Sequence, residues 1–290
     1  MKDIIVITGP TGVGKTKLSI ELAKKINAEI INADSVQVYK ELNIGSAKIK
    51  EEEKEGIIHH LFDIVDVKTT YTVYDYQKDG RKLINDILKR NKKVIIVGGT
   101  GLYIKALLYD YRFVEENKKY DFTKLTNAEI YEKIVENDKD NSIHINNRKR
   151  LERKLTKILN NTTTEKTNNI KIYDFDLIGL TTSRENLYNI IDKRVDKMFK
   201  DGLLDEVKNL YDRNIHSKPV ETGIGYKELY EYFDNKITLE EAISLIKRNS
   251  RRYAKRQYTF FNNQMEIKWF DVDYNNFNNT INEVYRYILK

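Results

Sequence analysis

An α/β fold, in which a parallel sheet is flanked by helices and interrupted by an all-helical insertion, follows from three features of the sequence. The apolar run Ile4 to Ile7 leads directly into Gly9-Pro10-Thr11-Gly12-Val13-Gly14-Lys15-Thr16, the strand, loop and helix start of a phosphate-binding loop. Apolar runs of strand length then alternate with stretches of helical periodicity, as successive βα units do. From about residue 113 that alternation stops and charged helical segments take over. The predicted architecture is therefore a P-loop-type sheet formed by residues 1–112 and 173–290, with a helical subdomain inserted at 113–172.

Composition narrows the classes. A chain of 290 residues buries one large core with an appendage. No long apolar stretch and no signal-peptide layout is present, so a cytoplasmic chain without a membrane partner is expected. The 0 cysteines remove disulfides and cysteine-based zinc sites. A net charge of +7 permits an anionic macromolecule as partner, but its distribution matters more than its total.

Each element follows in order. Leu18, Leu22 and Ile26, with Ala23 beside them, place a one-sided helix behind the glycine loop. A short strand spans Glu29 to Ile31 and ends near Asp34. An amphipathic helix runs from Val73 to Arg90 through Leu83, Ile84, Ile87 and Leu88, and Val94 to Val97 forms the next strand, closed by Gly98-Gly99-Thr100-Gly101. The insertion contains an Asn- and Thr-rich stretch from Asn160 to Asn169. Phe175 to Leu180 returns as a strand, and helical spacing runs from Asn186 to Tyr211 through Leu187, Ile190, Ile191, Val195, Met198 and Phe199. Ligands of a parallel sheet gather beyond the carboxyl ends of its strands, where the glycine loop, Asp34 and Thr100 all fall.

The glycine loop is the strongest functional signal. Glycines let backbone N–H groups converge on anionic oxygens, the helix N-terminus adds positive dipole, Lys15 adds charge, and the Thr16 hydroxyl suits Mg²⁺. Asp34 is weak by itself, because an Asp after a short strand is commonly a cap or turn residue. Asn32 and Ala33 before it also make a poor metal-binding strand end. Thr100, a hydroxyl between glycines, can approach a ligand closely. Lys247, Arg248, Arg251, Arg252, Lys255 and Arg256 crowd one predicted helix, with Arg248, Arg251, Arg252 and Lys255 along one side and aromatics close by. That pattern suits a phosphate backbone, as does the run Arg148-Lys149-Arg150 with Arg153 and Lys154. Adjacent His59 and His60 point different ways and are read as structural. The residues alone leave open an ATP-using small-molecule kinase or an adenylate prenyltransferase.

The ordered set of motifs resembles the bacterial tRNA dimethylallyltransferase family. It comprises Gly9 to Thr16, Asp34 to Tyr39, Ile44-Gly45-Ser46-Ala47-Lys48, His59 to Asp63, Gly98 to Tyr103, Arg194 to Met198, Gly202 to Val207, Ile224 to Glu228 and Tyr253 to Gln257. The resemblance runs nearly end to end. It implies that Gly9, Pro10, Thr11, Gly12, Val13, Gly14, Lys15 and Thr16 bind the diphosphate of dimethylallyl diphosphate, with Thr16 holding Mg²⁺. It further implies that Asp34 and Thr100 are catalytic. Asp34, Ser35, Val36, Gln37 and Thr100 would meet the target nucleotide of a tRNA anticodon stem-loop, and Lys149, Arg150, Leu151, Glu152 and Arg153 would touch tRNA from the insertion. A monomer without an obligate protein partner is expected.

Overall fold

The computed structural model describes residues 1–113, 118, 120–160 and 169–290. It divides into two compact units, Met1–Tyr109 with Lys171–Lys290, and Asp110–Ile170. The second begins and ends slightly before the 113–172 read from the sequence. Most of the Asn- and Thr-rich stretch lies outside the described residues.

The first unit is built on strands β1 (Ile4–Thr8), β2 (Ala28–Asn32), β3 (His59–His60), β4 (Lys93–Val97), β5 (Phe175–Thr181) and β6 (Lys268–Asp271). They form one sheet in the order β3-β2-β4-β1-β5-β6, with every pairing parallel. Parallel strands need crossovers on the sheet faces, so both faces are covered and central strands read as continuous apolar runs. β1 obeys this: Ile4 and Val6 pack into the core on one face, Ile5 and Ile7 into the core on the other. Each such side chain contributes roughly 1.5–3 kcal/mol on full burial.

On one face lie α1 (Lys15–Ile26), α6 (Arg184–Lys200) and the C-terminal α11 (Phe277–Ile288); on the other lie α2 (Val73–Lys89) and α3 (Gly101–Leu108), joined by Phe261 of α10 (Leu239–Gln264). Thr72 caps α2 by accepting from the Asp75 N–H, with the Asp75 carboxylate reaching back to the Thr72 N–H. A third cluster joins α7 (Leu203–Asp212), α8 (Lys218–Thr222) and α9 (Tyr226–Phe233) to the segment after β2 through Val38, Leu42, Val207, Val220 and Leu229.

The helical stretch expected from Asn186 to Tyr211 is formed by two helices, α6 and α7. Gly202 stands between α6 and α7 at φ 102°, a left-handed conformation that ends one helix and redirects the next. Periodicity continues across it because both helices present apolar faces to the same unit.

The second unit contains α4 (Asn127–Asn137) and α5 (Arg148–Leu159) around Phe122, Ile130, Ile134, Leu151 and Leu155. Thr126 and Glu129 form the cap of α4. No strand occurs within this unit among the described residues, in keeping with the expected helical insertion. Among the described residues no helix is long and apolar enough to cross a membrane.

Candidate active site

β4 stands between β2 and β1, so the carboxyl ends of β1, β2 and β4 lie side by side at one edge of the sheet. Three loops open there: Gly9–Gly14 after β1, Ala33–Gln37 after β2 and Gly98–Thr100 after β4. Thr8 ties two of them together, its buried hydroxyl donating to the Gly98 carbonyl at 2.8 Å.

The glycine loop is shaped by close approach. Gly9 has φ 138°, and a Cβ there would stand 2.5 Å from the Leu180 carbonyl oxygen. Val13 turns its side chain into the core at 0% exposure, so only its backbone faces a ligand. Lys15 Nζ donates to the carbonyls of Gly9 (2.9 Å) and Pro10 (2.8 Å), which holds the ammonium at the loop mouth. Burial, with the Arg194 guanidinium in addition, pushes the Lys15 ammonium down to about 7; the Asp34 charge opposes both. The Thr16 side chain lies exposed beside it, and among the described residues its hydroxyl has no hydrogen-bond partner. Among the described residues no group of His, Cys, Asp and Glu could hold a metal by itself. A divalent ion here would therefore take one protein hydroxyl and otherwise phosphate or water oxygens, the usual habit of Mg²⁺.

Asp34 does both things that its position allows. One oxygen, Oδ1, accepts from the Val36 N–H at 2.8 Å and the Gln37 N–H at 3.4 Å, so the turn reading of this residue is realised. The side chain remains half-exposed, and its charge is felt by Lys15, Arg194, Tyr103 and Tyr253. Thr100 holds the same loop: its Oγ1 accepts from the Ser35 N–H at 3.1 Å. Thr100 is thus a bolt between the loops after β2 and β4 as well as a hydroxyl at the crevice.

Sequence reasoning gave no role of their own to Arg194 or Gln257, and read Tyr253 only as one of the aromatics beside the basic helix. Arg194 projects from α6 into the field of Asp34 and Lys15, and burial lowers its pKa against the pull of Asp34. Among the described residues it has no ion-pair partner. Its signal was present: Leu187, Ile191, Arg194 and Met198 follow a three- and four-residue spacing, which puts an arginine on an apolar stripe. Tyr253 lies against Thr100, its hydroxyl pushed up to about 12 by burial and by Asp34. Gln257, only 5% exposed, donates to the Gly99 carbonyl at 3.0 Å and so anchors the third loop to α10.

The basic helix divides. Arg251 Nη1 donates to both oxygens of Asp192 (2.6 and 2.8 Å) and the guanidinium covers the Tyr188 ring, and Lys247 pairs with Asp196 at 2.6 Å; both tie α10 to α6. Arg251 is therefore removed from the basic side expected with Arg248, Arg252 and Lys255. Those three and Arg256 are exposed. The insertion divides likewise. Leu151 is fully buried in the core of its own unit and cannot offer its side chain to RNA, which corrects that expectation. Arg148 binds Glu152 and the carbonyls of Phe122 and Leu125, and Lys154 pairs with Asp138. Lys149, Arg150 and Arg153 remain exposed.

His59 and His60 are structural. His60 Nε2 meets Glu29 at 2.7 Å, where Arg90 and Lys92 also converge, and His59 Nδ1 bonds the Ile57 carbonyl. Arg90 above all, then the His60 and Lys92 contacts, hold the Glu29 carboxyl far below the ordinary range despite burial.

Comparison with known proteins agrees with this arrangement. Residues 37–264 match the family described as IPP transferase. A tRNA dimethylallyltransferase of Anoxybacillus flavithermus is 48% identical over 297 aligned residues, covering 98% of this chain and 96% of the relative. That of Bacillus subtilis is 46% identical, covering 93% and 90%. The crystal structure of a full-length tRNA isopentenylpyrophosphate transferase from Bacillus halodurans superposes with a TM-score of 0.79 at 40% identity, covering 100% of this chain and 96% of that one. A eukaryotic dimethylallyltransferase acting on tRNA superposes with a TM-score of 0.75 at 33% identity, covering 93% and 74%. With a family match over most of its length and relatives aligned nearly end to end, the chain belongs to the IPP transferase family.

Proposed function

We propose that the chain transfers a dimethylallyl group from dimethylallyl diphosphate to N6 of adenosine 37 in a tRNA anticodon loop, releasing pyrophosphate. The observation that carries this reading is that Lys15, held on the glycine-loop carbonyls, and Arg194 both lie in the field of the Asp34 carboxylate. Cations and loop N–H groups favour a polyanionic leaving group, and a carboxylate favours an amine nucleophile.

In the reaction the bond from C1 of the prenyl group to its diphosphate oxygen breaks and the N6–C1 bond forms. The electron pair leaves with pyrophosphate, held by Lys15, Arg194 and the amides of the glycine loop. The amine proton passes to Asp34. An adenine lone pair delocalised into its ring is a poor nucleophile, so a carboxylate that orients the amine and accepts its proton is worth having. Thr16 is the residue suited to Mg²⁺, which would supply further positive charge at the leaving oxygens. Thr100 and Gln257 keep the loops after β2 and β4 in register. The exposed Lys149, Arg150 and Arg153, and separately Arg248, Arg252, Lys255 and Arg256, are the residues we assign to the tRNA backbone.

The test is an anticodon stem-loop with adenosine at the target position, incubated with Mg²⁺ and either dimethylallyl diphosphate or ATP. Mass spectrometry should show one added C5 unit with the first donor alone. An RNA left unmodified, or a phosphate transferred from ATP, would overturn the assignment.

A further inference from the structure

We propose that Glu206 is a positioning residue that sets base selectivity at the crevice by fixing the amide of Gln37; the inference rests on the proposed tRNA reaction. Glu206 lies on α7, yet its carboxylate accepts three backbone N–H groups from the distant segment after β2, and one hydroxyl from α9. Oε2 accepts from the N–H groups of Asn43 (3.0 Å) and Ile44 (2.7 Å), and Oε1 accepts from the N–H of Gly45 (3.1 Å) and the Tyr226 hydroxyl (2.7 Å). Three consecutive backbone N–H groups on one carboxylate form an anion nest filled from within the chain. Tyr226 is fully buried, and a Cβ on Gly45 would stand 2.6 Å from its ring, so the segment is pressed against α9 as well.

The pinned segment has one evident client. Gln37 Nε2 donates to the carbonyls of Ser46 (2.9 Å) and Ala47 (3.3 Å), and Ala47 sits at φ 47°, a left-handed conformation that persists only when its surroundings over-determine it. Donation to two carbonyls orients the amide unambiguously, because only its nitrogen can donate. Gln37 Oε1 is therefore left as the acceptor of a half-buried side chain two residues past Ser35, on the loop whose Val36 and Gln37 N–H groups donate to Asp34. An acceptor at that place favours an exocyclic amine and disfavours a base edge that presents a carbonyl or no polar group. Glu206 acts on that preference only through the loop and never touches the nucleotide.

The experiment compares wild type with Glu206→Gln and Tyr226→Phe, using two stem-loops: one carrying adenosine at the target position and one carrying purine ribonucleoside, which lacks the amine and serves as a competitive inhibitor. Transfer rates, purine-RNA inhibition constants, thermal midpoints and pyrophosphate affinity are read together. Glu206→Gln turns an NH₂ toward donors, and Tyr226→Phe removes one hydroxyl while keeping the ring. For both we expect an RNA KM raised about fivefold or more, a single hydrogen bond of about 1 kcal/mol being worth roughly that factor, the adenosine-over-purine preference falling toward unity, and pyrophosphate affinity within twofold of wild type. A general loss of structure would weaken pyrophosphate binding too. If either folded variant keeps the wild-type KM and the wild-type preference, the inference fails; should Glu206→Gln not fold, Tyr226→Phe decides. A wild-type protein that modifies no RNA would overturn the proposed reaction, and this inference with it, and that outcome is visible before any variant is made.

Discussion

Asp34 carries two loads on one side chain, and substitutions can separate them. Its Oδ1 caps the turn at Val36 and Gln37, a task that an asparagine oxygen performs equally well, whereas only a carboxylate accepts the amine proton. Asp34→Asn should therefore leave the thermal midpoint unchanged and lower single-turnover transfer about 10²–10⁴-fold, the usual span for a general base. Unchanged turnover would remove Asp34 from the chemistry. Lys15 supplies the pH dependence. Its ammonium titrates near 7 in the free protein, so above that pH it is largely neutral, and a bound diphosphate draws the proton back. Sign and window follow: dimethylallyl diphosphate binding at pH 8, where its terminal phosphate is already ionised, should take up a proton and weaken as pH rises further. Calorimetry in buffers of different ionisation enthalpy reads that uptake directly, and Lys15→Met should abolish it. At this scale the loop from Gly9 to Thr16 was legible because its chemistry is local. Arg194 was overlooked because its meaning depends on facing Asp34 across 160 residues of chain, a relation no local pattern contains.

α10 shows how one helix serves two clients. Its basic residues looked equivalent in sequence, since helical spacing reports angle and not neighbours. Packing against α6 gives Arg251 to Asp192 and Lys247 to Asp196, and leaves Arg248, Arg252, Lys255 and Arg256 exposed. Two charge reversals should then behave differently. Arg252→Glu should raise the RNA KM and lower the slope of log K against log salt by about 1 per lost phosphate contact, with no change in thermal midpoint. Arg251→Glu places a carboxylate opposite Asp192 and should cost about 1 kcal/mol or somewhat more in stability, the screened value of a half-buried ion pair, while the salt slope stays near wild type. Salt titrations of binding and thermal melts check both. The break between α6 and α7 belongs here too: apolar spacing ran on through Gly202, and only its left-handed backbone ends the helix.

As a whole, the buried residues fall into three clusters in the larger unit and one in the smaller, and the units share none of them. Leu151 belongs wholly to the smaller one. Leu151→Ala should destabilise the Asp110–Ile170 unit by roughly 3 kcal/mol through lost burial and a residual cavity. Pyrophosphate affinity, which belongs to the other unit, should stay at its wild-type value; calorimetric melting and a pyrophosphate titration test the separation. The sequence by itself determined the parallel sheet, the position of the phosphate loop and the interruption by a helical unit. Periods of two and 3.6 residues and glycine-rich turns are properties of contiguous residues. Only the tertiary structure decided which charges face the crevice, which are consumed in holding helices together, and that Glu206 reaches back to the segment after β2. Those outcomes depend on which strand lies beside which, and the order β3-β2-β4-β1-β5-β6 is set by long-range packing that no window of sequence spans.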